Sequence, residues 1–62
     1  MVNDKEQEII KWLKQFERLS TSRFVGLLGI DYDAVKKLLE KLEVENIIIK
    51  EEETQATYWK LK

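Results

Sequence analysis

The first apolar pattern along the chain has the period of a helix. Ile9, Leu13 and Phe16 lie three or four residues apart, a spacing that places them on one helix face. We therefore predict a helix over about residues 4–17, with these three side chains in the core. Trp12 lies at the edge of the same face and is expected to remain partly exposed.

The start of this helix carries a capping signal. Asn3 is a favourable N-cap residue, and Glu6 follows three residues later, which is the spacing of a capping box. The pair predicts that the Glu6 side chain turns back towards the backbone of Asn3.

A second apolar stretch is interrupted by a glycine. Three hydroxyl residues at positions 20–22 are possible N-caps, and a short helix is predicted over about residues 21–28. Gly29 follows, where a helix needs a residue with positive φ in order to end. Asp31 is placed to cap a further helix over about residues 32–45. The apolar face of that helix is formed by Val35, Leu38, Leu39 and Leu42.

Beyond Asn46, which is a plausible left-handed helix stop, the apolar period becomes that of strands. The β-branched run at 47–49 and the alternating residues 57–62 predict a hairpin over about residues 47–61 with a polar tip. The residues expected to face the core are Ile47, Ile49, Trp59 and Leu61. Those expected to face away are Ile48, Tyr58 and Lys60.

This order of elements resembles the winged helix-turn-helix superfamily, and in particular its small archaeal-type DNA-binding domains. The resemblance is carried around the turn by Phe24, Leu28, Gly29, Ile30, Val35 and Leu38, and near the wing by Leu42 and residues 45–48 and 58–61. It covers nearly the whole chain and implies one α+β winged-helix domain over residues 1–62. Three helices would form the core and the C-terminal β-hairpin would form the wing, with a short strand at Leu19-Ser20 that pairs with the hairpin.

The composition excludes several classes of function. The 62 residues include neither cysteine nor histidine, so Ser20 and Ser22 have no imidazole to activate them. No glycine-rich phosphate loop is present, and the carboxylates of Glu51, Glu52 and Glu53 follow one another on a hairpin tip, where they point in alternating directions. We therefore expect no enzyme activity, no cofactor and no metal site.

Composition also bears on location and source. The chain has no long apolar run of the kind found in a signal peptide or a membrane span, which predicts an intracellular, cytoplasmic protein. Its high lysine and glutamate content is typical of thermophilic proteins.

The resemblance implies that the helix starting at Tyr32 enters the major groove of duplex DNA. The residues that would then contact bases or lie close to them are Tyr32, Asp33, Lys36 and Lys37. Lys41 would contact a phosphate, and Ser22 and Arg23 would hold the DNA backbone at the start of the second helix. This hypothesis predicts a sequence-specific transcriptional regulator.

The charge distribution leaves an alternative open. The net charge is −1, and residues 31–49 carry three lysines and five acids, a balance equally typical of a solvated, charge-paired face. Residues 11–30 carry four cations and one acid, which places the basic surface on the first two helices. The acidic wing tip at 51–53 would be repelled by phosphate, so the wing is not expected to contact DNA.

The second hypothesis is a winged-helix module that binds protein within a larger assembly and does not contact DNA. Its candidate surface, which could also serve self-association, is formed by Trp12, Ile48 and Tyr58. Winged-helix proteins that read DNA are commonly two-fold dimers, so a homodimer is expected under both hypotheses.

Overall fold

A computed structural model describes residues 4–62. Its helices are α1 (Asp4–Gln15), α2 (Thr21–Leu28) and α3 (Tyr32–Val44), and its strands are β1 (Leu19–Ser20), β2 (Ile48–Glu52) and β3 (Thr57–Leu61). The strands form one antiparallel sheet in the order β1-β3-β2. The predicted order of elements is confirmed, including the short first strand. Asn3, the expected N-cap of α1, lies outside the described residues.

The two ends of α2 are fixed by local hydrogen bonds. At the start, the Ser20 hydroxyl oxygen accepts a hydrogen bond from the Arg23 backbone N–H at 3.2 Å. At the end, Gly29 has φ 67° and its N–H donates to the Val25 carbonyl at 3.0 Å. A left-handed glycine therefore ends this helix, as predicted.

The end of α3 sets the entry into the hairpin. Asn46 has φ 63°, its N–H donates to the Glu43 carbonyl at 2.9 Å, and the Ile47 N–H donates to the Leu42 carbonyl at 3.0 Å. These are the two bonds of a Schellman motif, so the predicted left-handed stop at Asn46 is confirmed. At the other end, Asp31 occupies the N-cap position, but its side chain makes no capping hydrogen bond. The predicted side-chain cap is wrong.

The predicted core position of Phe16 is also wrong. Helix α1 ends at Gln15, two residues earlier than expected, and the Phe16 side chain is 43% exposed. Its ring stacks on that of Trp12, with the ring centroids 5.9 Å apart. Because the helix ends before Phe16, the helical period no longer holds this side chain on the buried face. Trp12 is half-buried, as expected.

The predicted faces of β2 are reversed. Ile48 is only 1% exposed and pairs across the sheet with Leu61, whereas Ile49 pairs with Lys60 on the outer face. Ile48 therefore belongs to the core and cannot form a self-association surface. Three successive isoleucines carry no alternation, so the backbone at Asn46 decides the register, and a shift of one residue exchanges the faces.

Side chains from all three helices and all three strands meet in one core. Its buried members are Ile9, Leu13, Leu19, Phe24, Leu28, Val35, Leu39, Leu42, Ile48 and Trp59. The Trp59 indole N–H donates to the Thr21 hydroxyl at 2.8 Å, a buried hydrogen bond that ties the sheet to the start of α2. Within residues 4–62, no helix is long and apolar enough to cross a membrane.

Candidate nucleic-acid interface

The first two turns of α3 present four of the predicted site residues to solvent. Tyr32, Asp33, Lys36 and Lys37 are all exposed, because the apolar positions of the helix face the core. Tyr32 and Lys36, four residues apart, line one side of a cleft of about 210 Å³. The other side of this cleft belongs to the hairpin and includes Lys50. The structure thus places the exposed side of the first turns of α3 beside the wing.

A second, more polar cleft of about 420 Å³ lies where α2 begins. It is lined by Ser20, Thr21, Ser22, Tyr32 and residues 53–57 of the hairpin tip. The backbone N–H groups and the positive dipole end of a helix start favour an anion such as phosphate. Ser22 and Tyr32 therefore share one surface, at which the DNA backbone and the reading helix would meet.

Arg23 lies on a different surface from Ser22. It is exposed on α2 and borders an apolar cleft of about 230 Å³, together with Trp12, Phe16, Leu19, Gly26 and Leu27. The two residues expected to hold the DNA backbone therefore border separate clefts.

Lys41 is partly exposed to solvent and also forms an ion pair with a residue of α1. Its ammonium nitrogen lies 2.9 Å from a carboxylate oxygen of Glu6, whose side chain is 0% exposed. The hydrogen bond to Glu6, together with the negative charge of that carboxylate, raises the pKa of Lys41 above its usual value. Lys41 is thus engaged with a buried carboxylate on the helix packed against α3.

Ion pairs at the wing are a feature that the sequence did not reveal. Nη1 of Arg18 lies 2.6 Å from Glu53 and 3.6 Å from Glu51, while Lys60 lies 3.6 Å from Glu51. A further pair joins Lys50 to Glu52 at 3.4 Å. The acidic wing tip is therefore matched by nearby cations, which weakens the electrostatic reason for expecting DNA to avoid it. No sequence signal links Arg18 with Glu53, because 35 residues separate them.

No group of three or more potential ligand residues with a metal-site arrangement occurs within residues 4–62. Tyr58 lies on the outer face of the sheet, half-buried, with the Arg18 guanidinium 4.3 Å from its ring centroid. Of the three predicted self-association residues, Trp12 borders the apolar cleft, Tyr58 lies beneath Arg18 and Ile48 is buried. They do not form one surface.

No protein-family model and no curated protein matches this sequence. Solved structures do match. The adhesin competence repressor AdcR from Streptococcus pyogenes has a TM-score of 0.90 at 23% identity, over 98% of this chain and 47% of AdcR. ZitR from Lactococcus lactis, solved as a cysteine-to-serine mutant in complex with DNA, has a TM-score of 0.91 at 22% identity, over 100% of this chain and 44% of ZitR.

The Zalpha domain of PKZ from Carassius auratus, solved in complex with Z-DNA, has a TM-score of 0.83 at 24% identity, over 94% of this chain and 92% of that domain. This chain therefore spans about half the length of AdcR and ZitR and nearly the whole of the Zalpha domain. Together these similarities show that the fold is a winged helix.

Proposed function

We propose that this domain binds duplex DNA through the first two turns of α3 and acts as a transcriptional regulator in the cytoplasm. The observation that carries the proposal is the exposure of Lys36 and Lys37 on the first two turns of α3, where Lys36 lines one cleft with Thr21, the first residue of α2. ZitR and the Zalpha domain, both in complex with DNA in their solved structures, support the same use of the fold.

The residues take distinct roles in this proposal. Tyr32, Asp33, Lys36 and Lys37 face the base edges, where lysine can donate to guanine and a carboxylate can accept from cytosine. Ser22 and the amides of the first turn of α2 hold a phosphate, and Arg23 reaches a phosphate further along the backbone. Lys41 has a structural role, because its ammonium is held by Glu6.

A single domain of this size makes few phosphate contacts, so its affinity should be modest and sensitive to salt. If Arg23, Lys36 and Lys37 each neutralise the charge of one phosphate on binding, we expect log K to fall by about 2.7 for each tenfold rise in salt. Titration of labelled duplex DNA at about 50 mM and about 200 mM salt measures this slope. Absence of binding at micromolar protein in the lower salt overturns the proposal. We further propose that two copies bind a palindromic site.

The second candidate function is protein contact, and the apolar cleft beside Phe16 favours it. Gly26 forms part of the cleft, and a methyl group added there would meet no atom within 4 Å, so the helix backbone is open to close approach. Trp12 and the exposed Phe16 supply an aromatic wall. The occupant we favour is a second copy of the chain, because the net charge of −1 offers little electrostatic resistance to self-association. Such a homodimer is compatible with both hypotheses, and a partner protein of a larger assembly is the other occupant.

Sedimentation of the free protein across a dilution series tests this candidate without DNA. Self-association that weakens in Phe16→Ala is expected. Val44→Ala serves as the control, because Val44 is 80% exposed at the far end of α3 and does not border the cleft. A monomer at every concentration excludes a second copy as the occupant, and equal effects of the two variants exclude the cleft.

A further inference from the structure

Arg18 joins the loop after α1 to the tip of the wing. Its guanidinium donates a hydrogen bond to a Glu53 carboxylate oxygen at 2.6 Å and lies 3.6 Å from a carboxylate oxygen of Glu51. The same group lies 4.3 Å from the centroid of the Tyr58 ring, so one side chain contacts three residues of the hairpin. The Glu53 contact raises the pKa of Arg18, which remains charged.

Glu53, the residue that Arg18 contacts, also lies at the edge of the proposed DNA-binding surface. Glu53 borders the polar cleft at the start of α2, close to Ser22 and Tyr32, where the proposed DNA backbone contact lies. Its backbone N–H donates to the Ala56 carbonyl at 2.9 Å and so closes the tip turn. The direction in which its carboxylate points therefore decides whether negative charge lies on the outer face of the sheet or beside the phosphate.

The charges of the wing balance only when Arg18 is counted. Glu51, Glu52 and Glu53 face two cations of the hairpin itself, Lys50 and Lys60. Arg18 supplies the third positive charge from outside the hairpin. Without it the wing would be net negative, and the glutamate nearest the tip would lose the cation that contacts it.

We propose that Arg18 is a positioning residue that holds the wing tip on the outer face of the sheet. Its positive charge also shields the Glu53 carboxylate, so that the tip can lie beside the DNA backbone without repelling the phosphates. The effect on DNA rests on the proposed function, whereas the positioning itself is a property of the free protein. The two parts are measured separately.

The first measurement uses the free protein. Arg18→Gln removes the charge while keeping a polar side chain at an exposed position, so the fold should remain intact, which circular dichroism checks. Nuclear magnetic resonance relaxation should report lower order parameters for the backbone amides of residues 53–56 in this variant. Lys14→Gln is the matched control, because it removes one exposed cation from α1. Unchanged order at the tip in Arg18→Gln overturns the positioning role.

The second measurement is DNA affinity at low salt. Arg18→Gln should weaken binding by about three- to tenfold, and adding Glu53→Gln should restore most of the loss, since the exposed carboxylate is then gone. Lys14→Gln should have a smaller effect. Equal losses in the two single variants would show that Arg18 acts only through net charge. No rescue in the double variant, whose net charge equals that of the wild type, would show that the Glu53 carboxylate is not the group that Arg18 shields. If the wild-type protein binds no DNA, the proposed function fails and the relaxation measurement alone decides the positioning role.

Discussion

Replacing Phe24 by alanine is expected to remove a large share of the domain's free energy of unfolding. Phe24 is 0% exposed and is the largest of the fully buried side chains, placed on α2 where the helices and the sheet meet. Loss of a buried phenylalanine costs about 3–5 kcal/mol in free energy of unfolding. A domain of this length has a total of only about 3–9 kcal/mol. Urea unfolding followed by circular dichroism measures the change.

The same chain supplies a matched control for this experiment. Phe16 is also a phenylalanine but is 43% exposed, and its ring stacks on that of Trp12. Phe16→Ala should change the free energy of unfolding by less than about 1 kcal/mol. Similar losses in the two variants would mean that Phe16 is part of the core, contrary to the structure.

The helix ends were the most predictable part of the fold, because their signals are local. Gly29 and Asn46 both adopt positive φ, which few other residues tolerate, so their identity alone located the ends of α2 and α3. The serine at position 20 caps α2 through a bond to a residue three positions away. Each of these features depends on residues only a few positions apart, so it can be recognised in the sequence without knowledge of the tertiary structure.

The faces of β2 and the last turn of α1 were less predictable. At Ile47-Ile48-Ile49 the sequence offers three equivalent side chains, and the choice of the buried one depends on how the backbone leaves α3. At Phe16 the apolar spacing continues after the helix has ended. At the isoleucines the sequence contains no alternation that selects a face, and at Phe16 the helical spacing does not show where the helix ends.

The ion pairs of the candidate site could not be predicted at all. Glu6 with Lys41, and Arg18 with Glu53, join residues that lie far apart in the chain. Counting charges by segment placed Arg18 in a basic surface and Glu53 in a repulsive tip, whereas the folded chain brings the two together. Adding up the charges of each segment therefore gave the wrong electrostatic character for the wing. The tertiary structure is needed to see which cations are already paired with carboxylates.

Reversing the charges of Lys36 and Lys37 together is expected to abolish DNA binding. Both side chains are exposed on the first two turns of α3, so Lys36→Glu with Lys37→Glu should leave the core intact. The double variant loses two attractive contacts and gains two carboxylates beside phosphates, each worth about 1 kcal/mol at contact distance in water. The loss in affinity should be at least about 100-fold at low salt. Titration of duplex DNA measures it.

A control with the same net charge separates the reading helix from general electrostatics. Lys11→Glu with Lys14→Glu makes the identical change of charge on α1, where both lysines are exposed. Long-range repulsion is screened over about 8 Å at physiological salt, so this variant should lose much less affinity, and the difference should persist as salt rises. A larger loss in the α1 variant would place the DNA contact on the basic surface of the first two helices, and equal losses would mean that only the total charge matters. The two double variants therefore distinguish a DNA contact on α3 from a DNA contact on the basic surface of α1 and α2.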